Sequence, residues 1–248
     1  MAMDDGCLDL VALRTSRHEA TQALLGDTIG ITDDQWNQPS RLPGWTRAHV
    51  ATHLARNADG LVRVIDQVKA GKPTRMYQSA SANRWAIESG SRRSALELQV
   101  DLDASAGRLH ERFAELTDVP THRQVSLKPG LRVRLDHLPL VRLNELVLHR
   151  IDLDVDFECT DIDAQTAGWL LAYNAARVGR DPAFPAVHLV GDSGVTATVG
   201  AGDPVDVVGP DNVLLGWLVG RLPPAGLDIW LPPLPSRHGK ALIPAAVE

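Results

Sequence analysis

Apolar residues recur at helical spacing through the first two thirds of the chain. Between Asp9 and Leu25, the residues Leu10, Leu13, Ala20, Leu24 and Leu25 fall on one helix face. A loop rich in Pro, Ser and Gly follows and ends in Leu42-Pro43-Gly44-Trp45. Thr46 has the residue type and place of an N-cap, opening a helix to about Lys69. Its stripe is Val50, Leu54, Leu61, Ile65 and Val68, and Gly71, Lys72 and Pro73 stop it. A third, long helix is expected from Ala80 to about Leu116, with Pro120 beyond its end and a turn at Lys128-Pro129-Gly130. Asp136 is expected to cap a fourth helix, His137 to about Phe157, with Pro139 tolerated in its first turn. Leu138, Val141, Leu143, Leu146, Val147, Leu148, Ile151 and Leu153 surround that helix, so it should be buried on all sides. Four long helices joined by loops predict a four-helix bundle.

The pattern changes after Thr160. A helix is expected from Ala164 to Arg180. Short β-like runs follow at Ala186–Val190, Val195–Val199 and Val205–Val208, punctuated by Gly and Asp as in a small antiparallel meander. Asn212 to Val219 reads as a last helix behind an Asp211 cap, and a Pro-rich tail with Pro223-Pro224 and Pro232-Pro233 reads as an irregular wrap. The fold class is therefore α+β. A bundle occupies residues 1–160, and a smaller α/β domain with a short antiparallel sheet occupies 161–248.

Composition acts mainly by exclusion. Apolar residues make up 44% of the 248 and charged residues 23%, which rules out wholesale disorder. The net charge of −6 and the lack of a basic run argue against nucleic acid and anionic membranes as partners. Neither a signal peptide before Asp5 nor an apolar run of about 18 residues is visible, so a cytoplasmic protein is expected. The two cysteines, Cys7 and Cys159, form no CxxC motif, which makes a disulfide scaffold or zinc ribbon a poor reading.

The chemistry lies in the apolar fourth helix. Glu145 and His149 are four residues apart and project from one face, with Asp152 three further on. A carboxylate and an imidazole inside such a helix are expensive unless paired with each other, exposed at a bundle end, or bound to a metal. On the second helix, His53 lies near the edge of the apolar stripe and Asn57 one turn on; His49 is farther from the stripe. A bundle can bring His53 against Glu145 and His149, and two histidines with one carboxylate suit a catalytic zinc site with an open position. Asp152 either orients His149 or accepts a helix-end hydrogen bond.

These residues resemble a known family. The run Leu42-Pro43-Gly44-Trp45-Thr46-Arg47, then His53, Ala55 and Asn57, is similar to the start of the mycothiol-dependent maleylpyruvate isomerases, within the DinB-like bundle superfamily of metal-dependent thiol transferases. The resemblance continues through Met76-Tyr77, Ser79, Ile87 to Gly90, and Glu145, His149 and Asp152, and reaches Leu214 to Arg221. It implies that His53, Glu145 and His149 bind Zn2+, that mycothiol is the cofactor, and that Arg221 is an essential arginine donated by the second domain. The stretch at Asn83-Arg84 departs from the family's pattern, and no substrate role is carried onto Arg84.

The implied reaction fits that ligand set. Maleylpyruvate is a dianion with a cis double bond conjugated to carbonyls. Addition of a thiolate makes that bond single, rotation follows, and elimination returns the trans isomer, fumarylpyruvate, in gentisate-type aromatic degradation. A bound zinc lowers the pKa of a thiol. An arginine grips a carboxylate through two hydrogen bonds. Two alternatives share the scaffold: a mycothiol S-transferase that conjugates electrophiles, and a non-catalytic zinc-containing binding or regulatory protein.

Overall fold

Leu10–Asp156 folds as one compact unit around four long helices, and a second unit begins at Phe157. The computed structural model describes residues 9–118, 122–179, 181–222 and 231–234. In the first unit the bundle helices are α1 (Leu10–Thr28), α3 (Arg47–Lys69), α5 (Ala95–Ala114) and α6 (Leu138–Asp152). Two short helices join them, α2 (Asp33–Trp36) and α4 (Ala80–Gly90). α3 packs against α5 and α6, and α1 completes the ring against the same two helices. Leu54, Leu61 and Ile65 of the expected α3 stripe are fully buried, each contributing about 1.5–3 kcal/mol by leaving water.

Thr46 caps α3 as expected. Its hydroxyl accepts from the His49 N–H, and the His49 side chain returns the contact to the Thr46 backbone. The expected long third helix is in fact two. α4 ends at Gly90, where a Cβ would stand 2.5 Å from Cγ2 of Thr52 on α3. Ser94 then starts α5 with a capping box closed by Glu97. Between α5 and α6 lies a hairpin that the hydrophobic pattern did not predict, β1 (Gln124–Lys128) against β2 (Leu131–Arg134), turning at Gly130 with φ +78°. Its Leu127 carbonyl accepts from the Met76 N–H at 3.1 Å, which ties the segment before Tyr77 to the hairpin.

α6 is buried at every position except Glu145 and Arg150. Asp136 does not cap it. A single 3-10 turn, Leu135–His137, leads into the helix, and the Asp136 carboxylate pairs with Arg134 instead. The helix also stops at Asp152, short of Phe157. Asp154 and Asp156 take left-handed backbone, φ +58° and +55°, which a helix cannot continue through. The Asp154 carboxylate is held by Arg41 at 2.8 Å.

The second unit contains α7 (Ala164–Val178), strands β3 (Val187–Gly191), β4 (Thr196–Val199) and β5 (Val205–Gly209), and α8 (Asp211–Leu218). β3 pairs antiparallel with β4 as expected, but β5 joins the other edge of β3 in parallel, giving a mixed sheet ordered β4-β3-β5. Asp211 is not the cap of α8; Pro210 holds that position. The Asp211 carboxylate accepts from the backbone N–H and hydroxyl of Ser193, each at 2.9 Å. Of the Pro-rich tail, Pro223-Pro224 lies outside the described residues, while the Pro232 carbonyl accepts from Nε1 of Trp217 at 2.8 Å. Among the described residues, no helix is long and apolar enough to cross a membrane.

Candidate metal centre

α6 carries four polar side chains on one face. Arg142, Glu145, His149 and Asp152 follow at steps of three, four and three residues and share one face of the helix, with Asn144 and Arg150 lying off it. α3 faces it with His53 and Asn57. The result is a cluster in which Nε2 of His53 lies 2.9 Å from Oε2 of Glu145, and Nε2 of His149 lies 3.5 Å from the same oxygen. One ligand atom from each of the three residues falls within 4.8 Å of the others. A tetrahedral ion with ligands at about 2.1 Å separates them by about 3.4 Å. The donor set and its spacing therefore fit a small divalent ion. The Glu145 side chain is 15% exposed, so the cluster is open to solvent on the carboxylate side.

His149 is oriented from behind. Its Nδ1 lies 2.8 Å from Oδ2 of Asp152, and both residues are buried. A proton on Nδ1 donated to Asp152 leaves the Nε2 lone pair facing Glu145, the tautomer a metal ligand needs. Of the two roles open for Asp152, the contact is the one to His149. His53 has no such support: its Nδ1 is buried without a hydrogen-bond partner, while its ring packs against Trp45 and edge-on to His149. Burial holds the His53 pKa down against the pull of Glu145, which keeps its imidazole neutral and basic toward a metal. Burial pushes the Glu145 carboxyl up, but hydrogen bonds to His149 and His53 outweigh this and hold it well below the usual carboxylate range. An ionised carboxylate, partly shielded from water between two buried imidazoles, is a centre ready for a cation.

The sequence profile of the mycothiol maleylpyruvate isomerase N-terminal domain matches residues 17–154, which is more than half of the chain and spans the whole cluster. The chain belongs to this family. Two solved structures are similar to it in fold. One is a histidine-to-alanine mutant of the mycothiol-dependent maleylpyruvate isomerase, with TM-score 0.78, and the other is that isomerase unaltered, with TM-score 0.75. Each is 23% identical and covers 86% of this chain and 90% of its own. No curated protein matches.

Within this member of the maleylpyruvate isomerase family, the remaining expected residues fall as follows. His49 is not at the cluster. It serves the α3 cap, and its Nε2 lies 3.2 Å from Oγ of Ser91 and 3.3 Å from Oε2 of Glu88. Arg84 is exposed on α4. Arg221 belongs to the second unit, just past α8, where Gly220 takes φ +67° and Nη1 of Arg221 donates to the Val219 carbonyl at 3.1 Å. Cys159, also in the second unit, is buried, and a Cβ on Gly216 would stand 2.9 Å from its Sγ. Cys7 lies outside the described residues. The hydrophobic pattern passed over Arg142, although a lone cation three residues before Glu145 in an apolar helix is a readable signal.

Proposed function

We propose that the chain is a zinc- and mycothiol-dependent maleylpyruvate isomerase, converting maleylpyruvate to fumarylpyruvate in gentisate-type aromatic degradation in the cytoplasm. The observation that supports this most is the convergence of His53, Glu145 and His149 inside the segment that belongs to the family. These three residues would hold the ion and leave a fourth position for a thiol. Bound there, zinc would favour thiolate over thiol at neutral pH, and mycothiol would be the source of the nucleophilic sulfur.

The protein's own groups serve that exchange. Asp152 fixes the His149 tautomer, so the Nε2 lone pair stays on the cluster side. Trp45 packs against the His53 ring and limits water on that flank. The thiol is external in this reading, which agrees with a Cys159 closed off by packing. Arg221 is proposed to bind a substrate carboxylate and to steady the negative charge that develops on the conjugated carbonyl.

The test is a paired readout on His149→Ala and Glu145→Gln. Zinc content and isomerase activity should fall together in both variants, with the fold intact by circular dichroism. Full zinc occupancy and full activity in either would refute the ligand assignment. Net consumption of mycothiol by the unaltered protein would instead identify an S-transferase.

A further inference from the structure

Arg142 is 2% exposed, yet among the described residues no carboxylate lies within ion-pair reach of its guanidinium. Nη1 donates to the Leu54 carbonyl at 2.8 Å and to Oδ1 of Asn57 at 2.9 Å, both on α3. A guanidinium carries five N–H donors, and the two bonds to described residues both come from Nη1. Glu145 exerts the strongest pull of any charged group on Arg142, but its carboxylate is turned to His53 and His149. Burial pushes the Arg142 pKa down to about 10, with Arg17 adding to the effect, so the side chain is still a cation at neutral pH. A buried charge without a counter-ion is destabilising by several kcal/mol. The chain keeps one three residues from a metal ligand.

The surroundings of Arg142 are built around it. Asn57 is buried and fixes one edge of the guanidinium. Tyr77 reaches the same surface of α3 because residue 60 is glycine: a Cβ there would stand 3.2 Å from Cε1 of Tyr77 and 3.1 Å from Cε of Met76. Burial raises the Tyr77 phenol well above its ordinary pKa, with Glu145 adding to it, so the hydroxyl stays a neutral donor. Arg142, Asn57 and Tyr77 thus form one wall beside the cluster. The charges agree with an anion there. One divalent ion and the Arg142 guanidinium, set against the carboxylates of Glu145 and Asp152, leave a net positive charge that draws an anion.

We propose that Arg142, held by Asn57 and flanked by Tyr77, binds one carboxylate of a cis-unsaturated dicarboxylic substrate beside the metal centre. This rests on the reading above of a dianionic substrate, and it leaves the second carboxylate for another cation. The probe is maleate, titrated calorimetrically into the zinc-loaded protein and into zinc-loaded Arg142→Met and Arg142→Lys. Arg142→Met should weaken maleate binding about 30-fold or more at unchanged zinc content, the value of a paired charge-assisted hydrogen bond. Its melting temperature should hold or rise, because an apolar side chain of similar length relieves the buried charge. Arg142→Lys should lose about 5- to 20-fold, since it keeps the charge and loses the fork.

A role confined to tying α6 to α3 gives the opposite pattern, a lower melting temperature with maleate affinity unchanged, and would overturn the proposal. So would wild-type affinity in Arg142→Lys, or no maleate binding to the unaltered protein. The two readings fail separately. Isomerisation of maleylpyruvate by the wild type with undiminished maleate affinity in Arg142→Met removes the carboxylate site alone. Loss of maleate affinity in Arg142→Met, with no isomerisation by the wild type, removes the reaction and leaves the site.

Discussion

Replacing Asp152 by Asn separates the charge behind His149 from the hydrogen bond it accepts. The contact is 2.8 Å between two buried residues, 2% and 1% exposed, so solvent does little to screen it. Asn keeps an oxygen acceptor for the Nδ1 proton but loses the carboxylate that makes the imidazole a stronger donor to metal. Groups in this position change metal affinity by about 10- to 100-fold, or about 1.4–2.7 kcal/mol. The pH dependence adds a second signature. In the metal-free protein burial alone would lower the His149 pKa, but hydrogen bonds to Asp152 and Glu145 outweigh it and raise the pKa above its ordinary value. A proton then competes with the ion, so wild-type affinity is fully developed above the raised pKa and declines as pH falls through it. Asp152→Asn takes the charge out of the strongest of these hydrogen bonds, so the raise shrinks. Its decline begins at lower pH while its plateau at high pH is lower. Zinc affinities measured by chelator competition between about pH 5 and 8 should therefore differ most at the alkaline end and converge on acidification. Equal plateaus, or a ratio that does not change with pH, would refute the reasoning.

Gly90→Ala should lower stability by about 1–3 kcal/mol, because its Cβ would meet Cγ2 of Thr52 at 2.5 Å, and Thr52→Ser in the same chain should recover part of the loss in thermal unfolding. Cys159→Ser and Cys7→Ser should leave isomerase turnover nearly unchanged; loss in either with zinc still bound would point to a protein thiol as nucleophile. Arg221→Ala should reduce kcat/KM by about 30- to 1000-fold, with partial rescue in Arg221→Lys, and a folded, zinc-loaded Arg221→Ala enzyme of full activity would confine this arginine to the helix end.

The residues of the cluster were legible because each is a polar exception in an apolar setting. Glu145 and His149 stand four apart in a helix buried nearly all round, and the facing stripe of α3 includes His53. Local caps such as Thr46 were legible for the same reason, since their partners lie within one turn. The break between α4 and α5 was written at Ser94-x-x-Glu97, but continuous helical periodicity on both sides masked it. The hairpin was hidden by its shortness, with Val125, Leu127 and Val133 as its buried positions. The parallel pairing of β5 with β3 is a long-range choice that alternation cannot reveal. The Asp211 carboxylate has a cap-like residue type, but tertiary contact with Ser193 claims it.

The central claim is a metal-held thiol exchange that isomerises and consumes nothing. Its most direct measurement is the conversion of maleylpyruvate to fumarylpyruvate by the zinc-loaded protein, with and without mycothiol, while free thiol is counted. Turnover is expected only when mycothiol is present, with many substrate molecules converted per thiol and a thiol count that does not fall. Absence of conversion with zinc and mycothiol both supplied, or thiol lost mole for mole with substrate, would contradict it.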